Sequence, residues 1–213
     1  MKYKLPALFL IVLFTAMKSD KNAYTLFNKE GKDIKYKKMM KDLPDADVIF
    51  FGELHNNAIS HWLQYEISRD ILLAKPGGLI MGAEMFESDN ALLMQEYLSG
   101  SIREKDFESQ ARLWPNYKTD YSPLMRLARD SGLKFIATNV PRRYAALVNK
   151  QGFEGLQSLS EEAKKLIAPL PIEYEPELPA YKGMMEMMGG MGRHVNENLP
   201  KAQAIKDATM AHF

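Results

Sequence analysis

Residues 48–55, Val48-Ile-Phe-Phe-Gly-Glu-Leu-His55, predict a buried strand that runs directly into flexible and polar residues. An apolar strand that ends in Gly52, Glu53 and His55 is typical of the rim of an open α/β sheet, where such folds place their ligands. A second histidine, His61, follows on the next helix. This strand end is therefore the first place in the chain to look for function.

Two further apolar runs predict strands, and helices separate the three from one another. The predicted strands cover Asp47–Gly52, Leu79–Phe86 and Lys134–Val140. Strand, helix, strand, helix, strand is the pattern of a parallel sheet with helical crossovers. From about residue 153 the strand signals vanish and the pattern is helical. We therefore expect an α/β fold, with a parallel sheet flanked by helices and a smaller all-helical subdomain.

Four segments follow from these patterns. They are a signal peptide or anchor over 1–20, a polar N-terminal approach over 21–46, the α/β sheet domain over 47–152 and the helical subdomain over 153–213. At the end of the last segment, Ala202–Phe213 has the pattern of a helix still in progress, with no stop signal. Because three strands are also few for such a sheet, we expect the chain to stop before the final strands.

The N-terminus predicts export to the periplasm or the cell envelope. Lys2 and Lys4 form a basic region, and the apolar run Leu5–Ala16 is too short to span a bilayer but fits a signal peptide. An uncleaved anchor is the alternative. The net charge of +1 argues against a nucleic-acid partner, and the lack of cysteine excludes disulfides, thiolate metal sites and thiol nucleophiles.

Polar residues from the three strand ends meet at one edge if the sheet is parallel. They are Glu53, His55, Glu84, Glu87, Asn139 and Arg142. Carboxylate and imidazole groups suit a metal or proton transfer, and Arg142 suits an anion. A Glu-x-His pattern alone is a weak signal. A histidine at a strand end often only donates a hydrogen bond to a residue that itself binds the ligand. We favour a functional role for Glu53 and His55, and a structural one for His61.

The aromatic stretch from Trp114 to Tyr121 allows two interpretations. Trp114, Tyr117 and Tyr121 could line a pocket. Aromatic residues near a helix start belong more often to the core, with their polar tips reaching outward. We therefore predict that these three side chains are core residues.

A second candidate site is the methionine-rich segment between Tyr174 and His194. Its residues of interest are Tyr174, Tyr181, Lys182, Arg193 and His194, around Met184, Met185, Met187, Met188 and Met191. Methionine adapts its shape to aromatic faces, and tyrosine phenolate can bind ferric iron. Haem would suit such a segment, since Lys or Arg can pair with its propionates. A methionine stripe alone is more often helix core than a cofactor site, so both interpretations remain open here.

Four longer stretches of the chain can be compared with a known family as a set. They are FFGELHNNAISHWLQYEI, LIMGAEMF, WPNYKTDYSPLMRLARDSGLKFIATNVPRR and MGRHVNENLPKAQAIKDATMAHF. Together they resemble the ChaN family of haem-binding bacterial proteins, over about residues 48–213. That family is distantly related to the Tiki and erythromycin-esterase-like proteins, which share a glycine–acid–histidine strand end.

The resemblance implies an exported haem-binding protein for haem and iron uptake. It implies a homodimer that holds two haems face to face, with a tyrosine of one subunit on each iron and a histidine and a lysine of the other on the propionates. Of Tyr174 and Tyr181, we place Tyr181 on the haem iron. The other expected haem contacts are Tyr174, Lys182, Arg193, His194, Met184 and Met188. The implied partner is an outer-membrane haem receptor, and this interpretation needs no catalysis.

The resemblance has two departures and leaves one alternative. The family is typically lipid-anchored through a cysteine, which this chain lacks, and its members continue with further strands. The alternative is a hydrolase of the Tiki or esterase type that uses Glu53, His55 and Glu84, either with a metal or as acid and base. No serine has the setting of a nucleophile elbow, so the sequence does not support a classical triad.

Overall fold

The structure is a computed structural model that describes residues 22–190 and 196–213. The chain divides into two compact units, one ending at Leu63 and the other covering Gln64–Phe213. In the described ranges, no helix has the length and apolar character needed to cross a membrane. The predicted signal peptide or anchor lies outside the described residues.

The first unit begins with a small antiparallel hairpin in the segment predicted as a polar approach. Strand β1 (Leu26–Phe27) pairs with β2 (Asp33–Ile34). Gly31 has a φ of 73°, which L side chains rarely adopt, and it allows the chain to turn between the strands. Helix α1 (Tyr36–Asp42) and a 3₁₀ turn (Leu43–Asp45) follow.

The first predicted strand, Asp47–Gly52, is wrong: these residues form no β-ladder. Phe50 is 87% exposed and Val48 is 67% exposed. A run of β-forming residues becomes a strand only where a neighbouring strand takes its backbone N–H and C=O groups. Within the described residues no strand does so here, and the apolar run remains extended and open to solvent.

Helix α2 covers Ala58–Ala74. The Oδ1 atom of Asn57 accepts the backbone N–H of Ser60 at 3.0 Å, as expected of a residue that caps a helix. Leu63, Ile67 and Ile71, spaced four residues apart on one face of this helix, are buried.

The second unit is built on a parallel pair of strands, both of which the sequence predicted. Strand β3 (Ile80–Glu87) pairs with β4 (Lys134–Asn139), from Ile80 opposite Lys134 to Glu87 opposite Asn139. The register is irregular between Ala83 and Glu87. Helices flank this sheet, so the predicted α/β class is confirmed.

Several short helices connect the two parallel strands. They are a 3₁₀ turn (Ser88–Asn90), α3 (Ala91–Leu98), α4 (Glu104–Gln110), a π-helical turn (Tyr117–Tyr121) and α5 (Ser122–Asp130). Helix α5 has Pro123 in its first turn, where the missing N–H of proline costs no helical hydrogen bond. Gly132, with a φ of 65°, follows it and turns the chain into β4.

The chain after β4 is helical in the described residues, as predicted. It contains α6 (Arg142–Gln151), a 3₁₀ segment (Phe153–Ser158), α7 (Glu161–Lys164), α8 (Pro179–Gly190) and α9 (Leu199–His212). The hydroxyl of Ser160 caps α7 by accepting the N–H of Ala163 at 3.2 Å. Ser158 ends the preceding 3₁₀ segment, and its hydroxyl donates to the carbonyl of Gly155 at 2.9 Å.

An aromatic cluster forms the core between the sheet and the connecting helices. Phe86 meets Phe135 edge to face at 5.6 Å, and Tyr97 stacks on Phe107 at 5.1 Å. Tyr117 and Tyr121 are buried, and Trp114 packs against the same cluster. Burial raises the pKa of the Tyr117 hydroxyl well above its usual range. The prediction that the Trp114–Tyr121 aromatics are core residues is confirmed.

A second core lies among the helices that follow β4. Val148 of α6, Leu156, Ile167 and Ile205 of α9 are almost completely buried in it. Thr209 is fully buried, and its hydroxyl accepts the backbone N–H of Ala168 at 3.2 Å. This bond satisfies a donor that burial would otherwise leave unpaired.

The contact between β3 and β4 generates a stability prediction at Gly82. A Cβ at this position would lie 2.9 Å from Cγ2 of Thr138, a side chain with a stiff χ1 angle. We expect Gly82→Ala to lower the free energy of unfolding by about 1 kcal/mol, measured by urea denaturation. Gly183→Ala is the control, because a Cβ there meets nothing within 4 Å and alanine favours α8. Equal stability of the two variants would contradict the close packing at Gly82.

Candidate functional site

The methionine-rich segment forms one wall of an open groove in the second unit. The groove has a volume of about 350 Å³ and is lined by Tyr174, Pro176, Tyr181, Lys182, Met185, Glu186, Glu197 and Pro200. Helix α8 contributes four of these eight residues, from Tyr181 to Glu186. The structure therefore brings together both candidate tyrosines, the candidate lysine and one methionine of the cluster.

Tyr181 lies at the buried side of the groove. Its side chain is 8% exposed, and its hydroxyl donates to Oδ2 of Asp207 on α9 at 3.0 Å. The other carboxylate oxygen of Asp207 accepts from the side-chain amide of Gln203 at 2.9 Å. Burial and the bond to Asp207 raise the pKa of Tyr181 to about 12. Ionising this phenol is therefore harder than ionising a solvated one.

Tyr174 is the half-buried tyrosine of the groove. Its ring centroid lies 5.5 Å from that of Tyr181 and 5.9 Å from that of Phe153. The ring of Tyr174 is tilted by 39° to that of Tyr181 and meets Phe153 edge-on at 69°, so the three rings form a small aromatic cluster with Tyr174 in the middle. A flat apolar ligand could stack beside such a cluster.

The lysine of the groove is paired only at the surface. Lys182 Nζ lies 2.5 Å from Oε2 of Glu177, and the two side chains are 54% and 80% exposed. An ion pair this exposed contributes little to stability. The ammonium group can therefore exchange Glu177 for another anion at low cost.

The methionines of α8 do not form a closed helix core. Met187 is 65% exposed, Met184 and Met188 are half-buried, and Met185 lines the groove. The described methionines of α8 are therefore partly accessible to a ligand, and Met185 is the one that contacts the groove. The predicted contacts Arg193 and His194, and with them Met191, lie outside the described residues.

At the carboxyl end of the sheet, three of the predicted strand-end residues meet. The side chain of Glu87 is 5% exposed and accepts from the backbone N–H of Arg142 at 3.0 Å and from its Nε at 2.5 Å. Asn139 pairs with Glu87 in the strand register. Its side-chain amide donates to the carbonyl of Glu84 at 3.0 Å, while its Oδ1 is buried without a hydrogen-bond partner among the described residues.

Sequence reasoning missed two members of this group, Arg112 and Asp89. Arg112 donates from Nε to Glu87 at 3.2 Å and from a terminal nitrogen to Asp89. Arg143 also donates to Asp89. Asp89 follows the strand in a polar turn, and Arg112 precedes the aromatic stretch, so neither residue belongs to a motif that marks it.

The glycine–acid–histidine motif forms a compact cluster in the first unit. His55 Nδ1 lies 2.9 Å from Oε1 of Glu53, and His61 Nδ1 lies 3.7 Å from Oε2 of the same carboxylate. His61 is 3% exposed, and its Nε2 donates to the carbonyl of His55 at 3.1 Å. That contact supports the structural role predicted for His61.

The cluster has the geometry of an acid–base pair. A carboxylate oxygen only accepts, so Nδ1 of His55 donates the proton and Nε2 is the ring nitrogen that can take one up. The described residues contain no group of three or more His, Cys, Asp or Glu side chains arranged to hold a metal ion. Glu84, which the sequence grouped with Glu53 and His55, belongs to the second unit.

The environment of Tyr181 generates a prediction for the pH dependence of stability. Its pKa is about 12 in the folded protein, against about 10 for an unfolded tyrosine. Above pH ~10 the unfolded state loses this proton first, so stability falls as the pH rises towards ~12. We expect this loss to be smaller in Tyr181→Phe, measured by urea denaturation at pH ~8 to ~12. An identical pH dependence in wild type and variant would show that the phenol is not shielded.

Comparisons with known proteins identify the family to which the chain belongs. Residues 39–213 match the sequence model of the family described as "Haem-binding uptake, Tiki superfamily, ChaN". The fold is similar to that of a Campylobacter jejuni protein described as "Cofacial heme binding to ChaN", with a TM-score of 0.62 and 17% identity. This match covers 88% of the present chain and 76% of the other.

A plant protein contains a related segment. The chloroplastic protein RETICULATA-RELATED 5 of Arabidopsis thaliana is 27% identical over 145 residues, which is 65% of this chain. The matched segment is 19% of the plant protein, so the chain spans about a fifth of that relative. At this coverage the likeness concerns one segment of a much longer protein.

Proposed function

Because the chain belongs to the ChaN family of haem-binding uptake proteins in the Tiki superfamily, we propose that it is an exported protein that binds haem through a tyrosine for haem and iron uptake. The observation that best supports this function is the groove beside α8. It combines two phenols, a loosely paired lysine and partly exposed thioethers. These groups fit the iron, the propionates and the apolar face of a haem.

Tyr174 is the better of the two candidates for the iron ligand. When haem is bound, it supplies a ferric iron that a phenolate can coordinate. Tyr181 would have to give up its bond to Asp207, and its pKa of about 12 opposes ionisation. Tyr174 is half-buried and lies beside the ring of Tyr181. We therefore assign the iron to Tyr174 and a stacking role to Tyr181, in place of the initial assignment of Tyr181.

The propionates are assigned to the cations of the same segment. Lys182 is available because its partner Glu177 is 80% exposed. Arg193 and His194 follow α8 in the sequence and complete the set that the family resemblance implied. The thioethers of Met184 and Met188 are placed against the porphyrin, where flexible apolar side chains adapt to a flat ligand.

A second copy of the chain would cover the exposed side of the bound haem. The Campylobacter jejuni protein is described as binding haem cofacially. A haem bound in this open groove, beside the half-buried methionines of α8, would keep one face accessible, and a face-to-face pair of haems between two copies would bury both. Export rests on Lys2, Lys4 and the apolar run Leu5–Ala16. An outer-membrane haem receptor is the corresponding partner.

Hemin titration tests the ligand assignment. We expect a Soret band to grow with added hemin in wild type. Tyr174→Phe should lose the tyrosinate spectrum and bind at least about tenfold more weakly, because the phenolate that would hold the iron is removed. Tyr181→Phe should keep the spectrum. Tyr65→Phe, a half-buried tyrosine of α2, is the matched control.

The outcome also tests the assembly. We expect the oligomeric state to shift from monomer towards dimer as hemin is added, followed by light scattering. Loss of the tyrosinate spectrum in Tyr181→Phe but not in Tyr174→Phe would reverse the assignment. A spectrum unchanged in both single variants and in the double variant would exclude this groove as the haem site.

A second candidate function is hydrolysis at the Glu53–His55 pair. The observation that favours it is the 2.9 Å contact between His55 Nδ1 and Glu53, which orients the imidazole. An imidazole held by a carboxylate can act as a general base towards water. The contact that carries this candidate is between Glu53 and His55, and the role predicted for Glu84 stays a prediction.

Ester hydrolysis tests the second candidate without haem. If it is correct, wild type hydrolyses p-nitrophenyl acetate, and His55→Ala lowers kcat/KM about 100-fold because the general base is lost. His212→Ala, an exposed histidine near the end of α9, should leave the rate unchanged. A rate equal in all three proteins would rule out catalysis by this pair.

A further inference from the structure

A cluster of ionic side chains lies at the carboxyl end of β3, away from the haem groove. Three arginines, Arg112, Arg142 and Arg143, surround the carboxylates of Glu87 and Asp89. We call these three residues the arginine cluster. The carboxylates are 5% and 14% exposed, whereas the arginines are 42–64% exposed. The negative charges therefore lie inside and the positive charges face outward.

The two carboxylates hold the arginines in fixed positions. Glu87 accepts from Nε of Arg142, from the backbone N–H of Arg142 and from Arg112. Asp89 accepts from Arg112 and from Arg143. Arg143 is held further by the ring of Tyr144, whose centroid lies 4.5 Å from its guanidinium carbon. A ligand would find these side chains already ordered and would not have to order them itself.

The cluster has more positive charge and more donors than its carboxylates need. Three guanidinium groups face two carboxylates, which leaves a surplus of one positive charge. The described bonds of Arg142 use its Nε and its backbone amide, and the side chain is 64% exposed. Its two terminal nitrogens can thus bind a further oxyanion in the paired geometry that guanidinium favours.

The position of the cluster in the fold also suits a ligand. It lies at the carboxyl ends of parallel strands β3 and β4, the edge at which open α/β sheets bind small molecules. Arg142 is also the first residue of α6, a ten-residue helix whose N-terminus attracts negative charge. The cluster therefore combines ordered guanidinium groups, a surplus charge and a helix end.

The cluster and the haem groove lie at opposite ends of α6. The side chain of Asn196 donates to the carbonyl of Asn149 near the last turn of α6, at 2.6 Å, and its neighbour Glu197 lines the groove. The cluster begins at Arg142, the first residue of the same helix. A helix of ten residues is about 15 Å long, which gives the separation of its two ends. One haem lying in the groove would not fill the cluster as well.

We propose that the arginine cluster binds the oxyanion group of a small molecule, a carboxylate or a phosphate, at a site separate from the haem groove. Both groups present two oxygens to a guanidinium, so both fit the same donors. The inward carboxylates do not repel the ligand, because each is already neutralised by two arginines. This site adds a second ligand to the protein and does not depend on haem binding.

Titration with inorganic phosphate and with citrate tests the proposal and separates the two ligand classes. Both titrations use the full chain without haem, at low ionic strength, because salt screens the interaction. We expect saturable binding of at least one anion by calorimetry, with a Kd of about 1–10 mM. Arg142→Gln should weaken it about tenfold or more, since a charge-assisted bond is lost. Arg142→Lys, which keeps the charge but not the paired geometry, should also weaken it.

Arg126→Gln is the matched control. Arg126 is 52% exposed and paired with Glu104, so the change removes the same charge from a comparable surface site. It should leave anion affinity unchanged, and thermal melts of all variants check that they fold. No saturable binding of either anion would overturn the proposal. Equal loss in Arg126→Gln, or full affinity in Arg142→Lys, would do so as well, because either result indicates non-specific attraction to charge.

A hemin titration of Arg142→Gln tests whether the two sites are separate. We expect the same hemin affinity and spectrum as in wild type, because the cluster lies at the other end of α6. A marked loss of hemin affinity would show that the cluster holds haem propionates, which contradicts a separate site.

Discussion

The burial of one carboxylate determines how the helical part of the chain is attached to the sheet. Glu87 ends β3 with its side chain 5% exposed, and it accepts hydrogen bonds from both the backbone and the side chain of Arg142. A buried carboxylate that lost these partners would be strongly destabilising, so the start of α6 must remain at the strand end. Helix α6 in turn provides Val148 to the second core, where α9 packs through Ile205. The backbone N–H of Arg142 and the side chain of Arg112 also donate to Glu87, so the attachment of α6 does not rest on the Arg142 guanidinium alone.

The groove and the arginine cluster, at the two ends of α6, would bind their ligands through different interactions. The groove offers aromatic rings, thioethers and one exposed lysine, so burial of a large apolar ligand would provide most of its affinity. The arginine cluster offers ordered cations and almost no apolar surface, so affinity there would come from charge and would fall with salt. A protein that carries haem needs the first kind of site. The second kind would let a small anion bind at the sheet edge without competing for the groove.

Sequence patterns predicted correctly those elements whose apolar residues are buried in the fold. They failed where a strand also needed a neighbouring strand from elsewhere in the chain. Strands β3 and β4 have buried apolar residues, such as Phe86 and Phe135, and both match their predicted limits closely. The run Val48–Phe51 is equally apolar but forms no ladder, because composition does not supply a neighbouring backbone. For the site, the sequence identified residues of the groove and of the strand end, and the family resemblance placed the iron on Tyr181, an assignment that stays a prediction. The bond from that phenol to Asp207, 26 residues away, could not be read from any local pattern.

The sequence by itself determined the α/β class, the helical nature of the chain after β4 and the family, because hydrophobic periodicity and linear motifs are local properties. Only the tertiary structure decided which groups face one another: Arg112 with Glu87, across 25 residues, and Tyr174 beside Tyr181 in one groove. The reason is that hydrogen bonds, burial and shifted pKa values arise between residues that folding brings together, and their spacing in the chain does not encode those distances.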